Sequence, residues 1–321
     1  MRDFRAPHFK PWRLILEILP RIRSIKNLMT AASLPEASAL WLNRPLDAND
    51  VHVHTTRKPK GGYRTVCSPL DEGLLRLQKR LKEFIDRKVL DPHPNVHGYT
   101  RGRGATSNAL AHLNARAILT VDIKDFFPSI DREQVEAALH THGAKPIIAE
   151  VITNVSTFRD SLATGFPASP VLSNLVFRPL DDEFATFAEE RELVYTRYAD
   201  DLTFSGSRVG DEELQRITDM LLAAGFEPNR RKVRFQRRGH MQVVTGLTIG
   251  HSDRLRLPKA RKKNLRQDLY FAGKNGFASQ ARYRNADEQE FREQLLGRIN
   301  YLMGVEPELA LQMRREFEAI D

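Results

Sequence analysis

Two consecutive aspartates, Asp200-Asp201, stand at the bend between two strand-like runs, Val194–Tyr198 and Leu202–Ser205. Such a pairing folds back on itself, so the acids belong at a hairpin tip. Upstream, the apolar run Ala117–Val121 ends in a third acid, Asp122. Carboxylates at the ends of buried strands are costly unless something cationic compensates them. Divalent ions with oxygen ligands are the obvious compensation. Magnesium takes one or two carboxylates and fills its remaining positions with phosphate oxygens and water. Two such ions about 4 Å apart can activate an attacking hydroxyl and stabilise a leaving pyrophosphate. An Asp-Asp pair alone is weak evidence, because Asp181-Asp182 forms another within a predicted helix and reads as solvated surface.

Charge points the same way. Lys and Arg number 50 against 41 Asp and Glu, a net charge of +9, which suits an acidic partner such as nucleic acid. Hydrophobic residues make up 41% of the chain, enough for a packed core. The single cysteine, Cys67, excludes an internal disulfide framework and a Cys-rich zinc site, and fits a reducing cytoplasm. His93 with His97, and His140 with His142, are spaced as conceivable metal pairs, but no cysteine accompanies them. No run approaches the length of a membrane span or a signal sequence, so no membrane partner is expected.

Residues 1–50 read as short helices, with Trp12, Ile15, Leu16 and Leu19 at helical spacing. The alternation at Val51–Pro69 around Gly61-Gly62 predicts a β-hairpin whose tip carries Arg57, Lys58, Lys60 and Arg64, cations that suit a triphosphate. Helices are predicted over Leu74–Leu90, from a capping box at Asp131 and Gln134 to Gly143, over Pro170–Arg191 with a kink at Pro179, and over Asp211–Ala224. Strand-like segments follow at Val243–Ile249, and helices after Leu257-Pro258. The irregular interleaving predicts an α+β layer rather than a doubly wound sheet. From Asn229 to Arg266 there are thirteen Lys or Arg and one acid, Asp253, a bias that suits a phosphate backbone.

Tyr198-Ala199-Asp200-Asp201 resembles the catalytic signature of bacterial reverse transcriptases. The run Asp122-Ile-Lys-Asp-Phe-Phe-Pro-Ser-Ile130 resembles their first catalytic motif, and Leu162–Leu175 their template- and nucleotide-holding loop and helix. Asn229-Arg-Arg-Lys232 resembles the motif whose lysine approaches the triphosphate. Order and spacing agree from about Arg57 to Ile249. The resemblance implies a right-hand fold of fingers, palm and thumb. It implies two Mg²⁺ held by Asp122, the Ile123 carbonyl, Asp200 and Asp201. It also implies deoxynucleoside triphosphates bound by Lys58, Lys60, Arg64, Phe127, Thr164 and Lys232, with Phe127 under the incoming sugar. One departure stands out: Ala163-Thr164-Gly165-Phe166-Pro167 replaces the usual Pro-Gln-Gly-Ala-Pro, so a shorter polar residue and a larger ring sit where the nucleotide is read.

Asn108-Ala-Leu-Ala-His112 and Val244-Thr245-Gly246 resemble two elements of retron reverse transcriptases. That resemblance implies a cognate structured noncoding RNA, priming from an internal 2′-OH and a branched RNA–DNA product, multicopy single-stranded DNA. A separate effector protein, host RNase H and a role in phage defence are implied with it. The expected RNA contacts are Asn108, His112, Val244, Thr245, Gly246, Arg254, Arg256, Lys259, Arg261, Lys262, Lys263 and Arg266. Expected boundaries are an N-terminal helical region over 1–50, fingers over 51–118 with 132–163, palm over 119–250 and a basic helical thumb over 251–321. A group II intron-like or diversity-generating reverse transcriptase, and a non-catalytic RNA-binding module on a polymerase fold, are the competing readings.

Overall fold

The computed structural model describes residues 18–58, 61–249 and 254–320. Two short helices, α1 (Ile25–Ala31) and α2 (Ala39–Leu42), precede a hairpin of β1 (Val51–Arg57) and β2 (Tyr63–Pro69), then α3 (Glu72–Lys88). Next come α4 (Ala105–Leu110), β3 (Ala117–Asp122), α5 (Arg132–Thr141), α6 (Pro146–Asn154), the small pair β4 (Thr157–Phe158) and β5 (Ser161–Leu162), and α7 (Ser169–Glu190). They are followed by β6 (Val194–Tyr198), β7 (Asp201–Gly206), α8 (Asp211–Ala223), β8 (Arg234–Arg237), β9 (Val243–Val244) and β10 (Leu247–Thr248). The described chain closes with α9 (Lys259–Asn275), α10 (Phe277–Tyr283), α11 (Glu288–Met303) and α12 (Pro307–Glu318). The expected positions Trp12, Ile15, Leu16 and Lys60 lie outside the described residues.

Local chemistry explains most boundaries. Asp71 caps α3 by accepting from the Gly73 and Leu74 amides, and Leu74, Leu77, Leu81, Phe84 and Ile85 bury one face of that helix. Asp131 and Gln134 form the expected capping box of α5, and Gly143, at φ 83°, follows its end. The helix α7 continues through Pro179. Its Asp181 corrects an expectation: the residue is fully buried, on the helix face that also carries Phe177 and Phe184, while Asp182 is solvent-exposed and pairs with Arg178. A one-residue step along a helix turns a side chain about 100°, which separates the two neighbours.

The chain divides into two compact units, one of Met1–Asn95, Asp122–Phe184 and Arg216–Asn229, the other of Val96–Val121, Ala185–Gln215 and Arg230–Asp321. The first contains the β1–β2 hairpin, α3 and an aromatic cluster in which Phe126 meets Phe177 and Phe226. The second is built on a four-stranded sheet of order β6-β7-β3-β8. β6 pairs antiparallel with β7, and β3 antiparallel with β8. In the same unit α9 to α12 pack around Leu265, Leu269, Phe277, Phe291, Leu295 and Ile299. The strand order contains no βαβ period, in keeping with the α+β expectation.

Candidate active site

The β6–β7 hairpin is closed by a two-residue turn, with Tyr198 paired to Asp201 and Ala199-Asp200 between them. Ala199 adopts φ 58°, a conformation that an L side chain takes only under constraint. Three contacts impose it. The fully buried Arg197 donates from its guanidinium to the Ala199 carbonyl at 3.2 Å. The His97 amide donates to the Arg197 carbonyl at 2.8 Å, laying the 96–98 segment along the hairpin. Gly98 then lies directly against Ala199, where a Cβ would overlap its backbone nitrogen. The tip therefore presents Asp200 and Asp201 from a rigid support. Neither Arg197 nor Gly98 was singled out from sequence. The available signal was an arginine inside an apolar strand, which must be paired once buried.

β3, the neighbour of β7 in the sheet, ends at Asp122. At the opposite end the Arg116 amide donates to the Gly206 carbonyl at 3.0 Å, so β3 and β7 run antiparallel. Asp122 is the last residue of β3, and Asp201 is the first residue of β7. Asp122 is 6% exposed. The segment after it is pinned by the Asn229 amide donating to the Asp122 carbonyl (2.7 Å) and by the Lys124 amide donating to the Glu227 carbonyl (2.9 Å). Lys124 also meets the Glu227 carboxylate at 2.8 Å, which raises the Lys124 pKa. Among the described residues, no three His, Cys, Asp or Glu are gathered into a metal-binding group of their own.

Downstream of Asp122, the Ser129 amide donates to the Asp125 carbonyl and the Ile130 amide to the Phe127 carbonyl, forming a tight turn. That turn buries Phe126 and leaves Phe127 half-buried, so the second ring keeps an open face. The 163–167 loop docks on β2: the Cys67 amide donates to the Thr164 carbonyl at 2.8 Å, and a Cβ on Gly165 would collide with the Cys67 carbonyl. Phe166 is buried in the core. In the β1–β2 hairpin, Gly61 and Gly62 take φ 90° and 80°, and the Lys58 amide donates to the Gly62 carbonyl. Lys58 and Arg64 are exposed there.

The family model for reverse transcriptase (RNA-dependent DNA polymerase) matches residues 56–254. The chain belongs to the reverse transcriptases. Its α+β architecture is accordingly that of the right-hand polymerases. The retron Mx65 reverse transcriptase of Myxococcus xanthus is 32% identical over 82% of this chain and 64% of that protein. The retron Mx162 reverse transcriptase of the same organism is 28% identical over 95% and 68%. The retron Ec86 reverse transcriptase of Escherichia coli is 30% identical over 70% and 71%. The chain thus spans about two thirds of the length of these three relatives, and it groups with the bacterial retron reverse transcriptases. A solved telomerase structure from Candida albicans with a fragment of telomeric RNA aligns over 87% of this chain and 61% of that one, with TM-score 0.48 and 8% identity.

In this reverse transcriptase the two retron-like elements meet in one unit. Asn108 and His112 are fully buried, so they act on their surroundings from within the fold. His112 bridges two hydroxyls, Nδ1 to Ser205 at 2.6 Å and Nε2 to Thr196 at 2.7 Å, and so ties β7 to β6. Burial pushes its pKa down to about 3, so the ring is neutral. Val244 is buried, and Thr245 donates to the Ala105 carbonyl at the start of α4. Thr245 and Gly246 both have positive φ, 44° and 80°. Of the basic segment, Arg254, Arg256, Lys259, Arg261, Lys263 and Arg266 are exposed. Lys262 is engaged instead with Glu306, at 2.9 Å, and the same carboxylate accepts the Leu257 amide. Lys232 lies in a 3-10 turn, Arg230–Lys232. The histidines spaced as conceivable metal pairs have local partners: His93 faces Asp182, His97 bonds Ser107, and His140 and His142 bond the Ala144 and Ala138 carbonyls. No helix among the described residues is long and apolar enough to cross a membrane.

Proposed function

We propose that the protein is a retron reverse transcriptase that binds a cognate structured noncoding RNA and synthesises branched multicopy single-stranded DNA from an internal 2′-OH. The observation that carries this reading is the braced Ala199 turn, which fixes Asp200 and Asp201 at the tip of the β6–β7 hairpin. The donor set there is oxygen only, and it suits Mg²⁺. Because magnesium takes only one or two carboxylates at a site and completes its shell with phosphate and water, a ready-made cluster of three side chains is not required. Asp122, the Ile123 carbonyl, Asp200 and Asp201 are the residues that would hold two such ions. When bound, the ions lower the pKa of the attacking hydroxyl and neutralise charge on the leaving pyrophosphate.

The chain's own residues supply position and selection. Phe127 offers an open ring face for the sugar of the incoming nucleotide. Lys58, Lys60, Arg64 and Lys232 provide cations for its triphosphate, the guanidinium as a two-pronged donor. Thr164 is held by its backbone on β2, and its short side chain leaves the nucleotide fewer polar contacts than glutamine would. Exposed cations at Arg254, Arg256, Lys259, Arg261, Lys263 and Arg266 give affinity for an RNA backbone, and the Val244-Thr245-Gly246 turn gives choice through shape. In this reading fingers, palm and thumb follow the boundaries drawn above. The partners are the RNA, its DNA product, deoxynucleoside triphosphates, a separate effector protein and host RNase H in the cytoplasm, with phage defence as the outcome.

The test is to copurify the protein with RNA expressed from the DNA flanking its gene and to treat the product with a debranching enzyme. Release of DNA from a 2′–5′ linkage is expected. DNA synthesis without any such linkage overturns the retron assignment in favour of an intron-like or diversity-generating enzyme.

A further inference from the structure

Between α9 and α11 runs an open groove of about 510 Å³, a volume typical of small-ligand pockets. Its floor is apolar. Leu257 and Leu265 are buried there, and Gly297 leaves it hollow, since an added Cβ would meet no atom within 4 Å. Its rim is polar and cationic, with Arg261, Asn264, Arg298 and Tyr301 around the opening. Arg298 pairs with the buried Asp268, but Arg284 claims the same carboxylate, so two guanidiniums share one negative charge and the rim stays positive. Arg261 leans on the Gly246 carbonyl at 3.4 Å, which joins the groove to the Val244-Thr245-Gly246 turn. Tyr301 is 39% exposed. Burial pushes the Tyr301 hydroxyl pKa up, and the nearby Arg261 guanidinium opposes that shift.

An apolar floor, one aromatic ring, guanidiniums and a side-chain amide match the needs of a nucleotide whose base has left a stack. Such bases lie on aromatic or guanidinium planes and are read along their edges by amides, while arginine holds the phosphate. An apolar peptide side chain would fill the floor and leave the cations of the rim unanswered. We propose that the groove between α9 and α11 binds one unpaired nucleotide of the RNA partner, with its base over the Gly297 floor beside Tyr301 and its phosphate on Arg261. This deepens the function proposed above and rests on it.

The test measures binding of a fully paired RNA hairpin and of versions carrying a single unpaired adenosine, guanosine, cytidine or uridine. At least one bulged hairpin is expected to bind the unmodified protein about tenfold tighter than the paired one, the scale of one stacked base. Gly297→Leu, which fills the floor, and Tyr301→Leu should each abolish that preference. Leucine favours an exposed helix position over glycine, so Gly297→Leu keeps the fold, and circular dichroism checks both variants. Absence of a bulge preference in the unmodified protein, or its survival in either variant, overturns the proposal. Primer extension on an RNA template in the same preparation tests the underlying function separately. Synthesis without bulge preference removes only the groove. Bulge preference lost in both variants, without synthesis, upholds the groove and removes the polymerase.

Discussion

Gly98 and Ala199 touch backbone to backbone, so closely that a single methyl group at position 98 would occupy the space of the Ala199 nitrogen. The turn that carries Asp200 and Asp201 therefore depends on a glycine a hundred residues away in sequence. Gly98→Ala should push the turn aside while leaving the helices and most of the sheet in place. Misplacement of reacting groups by about 1 Å can cost about a hundredfold in rate. We expect primer extension to fall by about that factor, with RNA affinity retained within a few-fold. Normal turnover in the variant would show that the turn tolerates displacement.

His112 makes the hairpin sensitive to acid. Its folded pKa of about 3 lies below the ordinary histidine value of 6.5, so the unfolded chain takes up a proton that the folded chain refuses. Its contribution to stability is fully present above the unfolded value, falls as pH drops through 6.5, and is lost towards about 3. At pH 5 the loss is about 2 kcal/mol. Thermal unfolding of the unmodified protein should weaken markedly between pH 7 and pH 5, and His112→Asn, which cannot take up that proton, should flatten the profile. Identical profiles would show that His112 is not the group responsible.

Phe127 presents a half-buried ring downstream of Asp122, supported by Phe126 at a centroid distance of 5.7 Å. A ring under the sugar leaves no room for a 2′-OH. Phe127→Val should raise ribonucleotide incorporation relative to deoxynucleotide about tenfold. The measurement is a pair of single-nucleotide insertion rates. Unchanged discrimination in an active variant would place the ring in the core alone.

The strands and helices that carry motifs were legible in the sequence because their signals are local. Alternation marked β1 and β2, an apolar face marked α3, and caps and glycines marked α5 and α8. The strand β8 was not foreseen: it has four residues, three of them exposed, so it shows no alternation to read. Asp181 was misjudged because adjacency to Asp182 says nothing about which helix face each occupies. The acids Asp122, Asp200 and Asp201 announced themselves, whereas their supports did not. Gly98 and Arg197 act through contacts that exist only once the 96–98 segment lies along β6, and His112 acts by spanning two strands. Long-range packing of that kind leaves no periodic trace. Lys262 shows the reverse case, a cation that composition assigns to RNA and that Glu306 claims within the fold.

The most direct test of the central claim is magnesium-dependent extension of a DNA primer on an RNA template by the unmodified protein and by the Asp200→Asn, Asp201→Asn double variant, with RNA affinity measured alongside. In the proposed function the two carboxylates hold metal, and metal serves phosphoryl transfer rather than RNA docking. The account predicts deoxynucleotide incorporation by the unmodified protein, none by the double variant, and RNA affinities within a few-fold of each other. Substantial DNA synthesis by the double variant would contradict it.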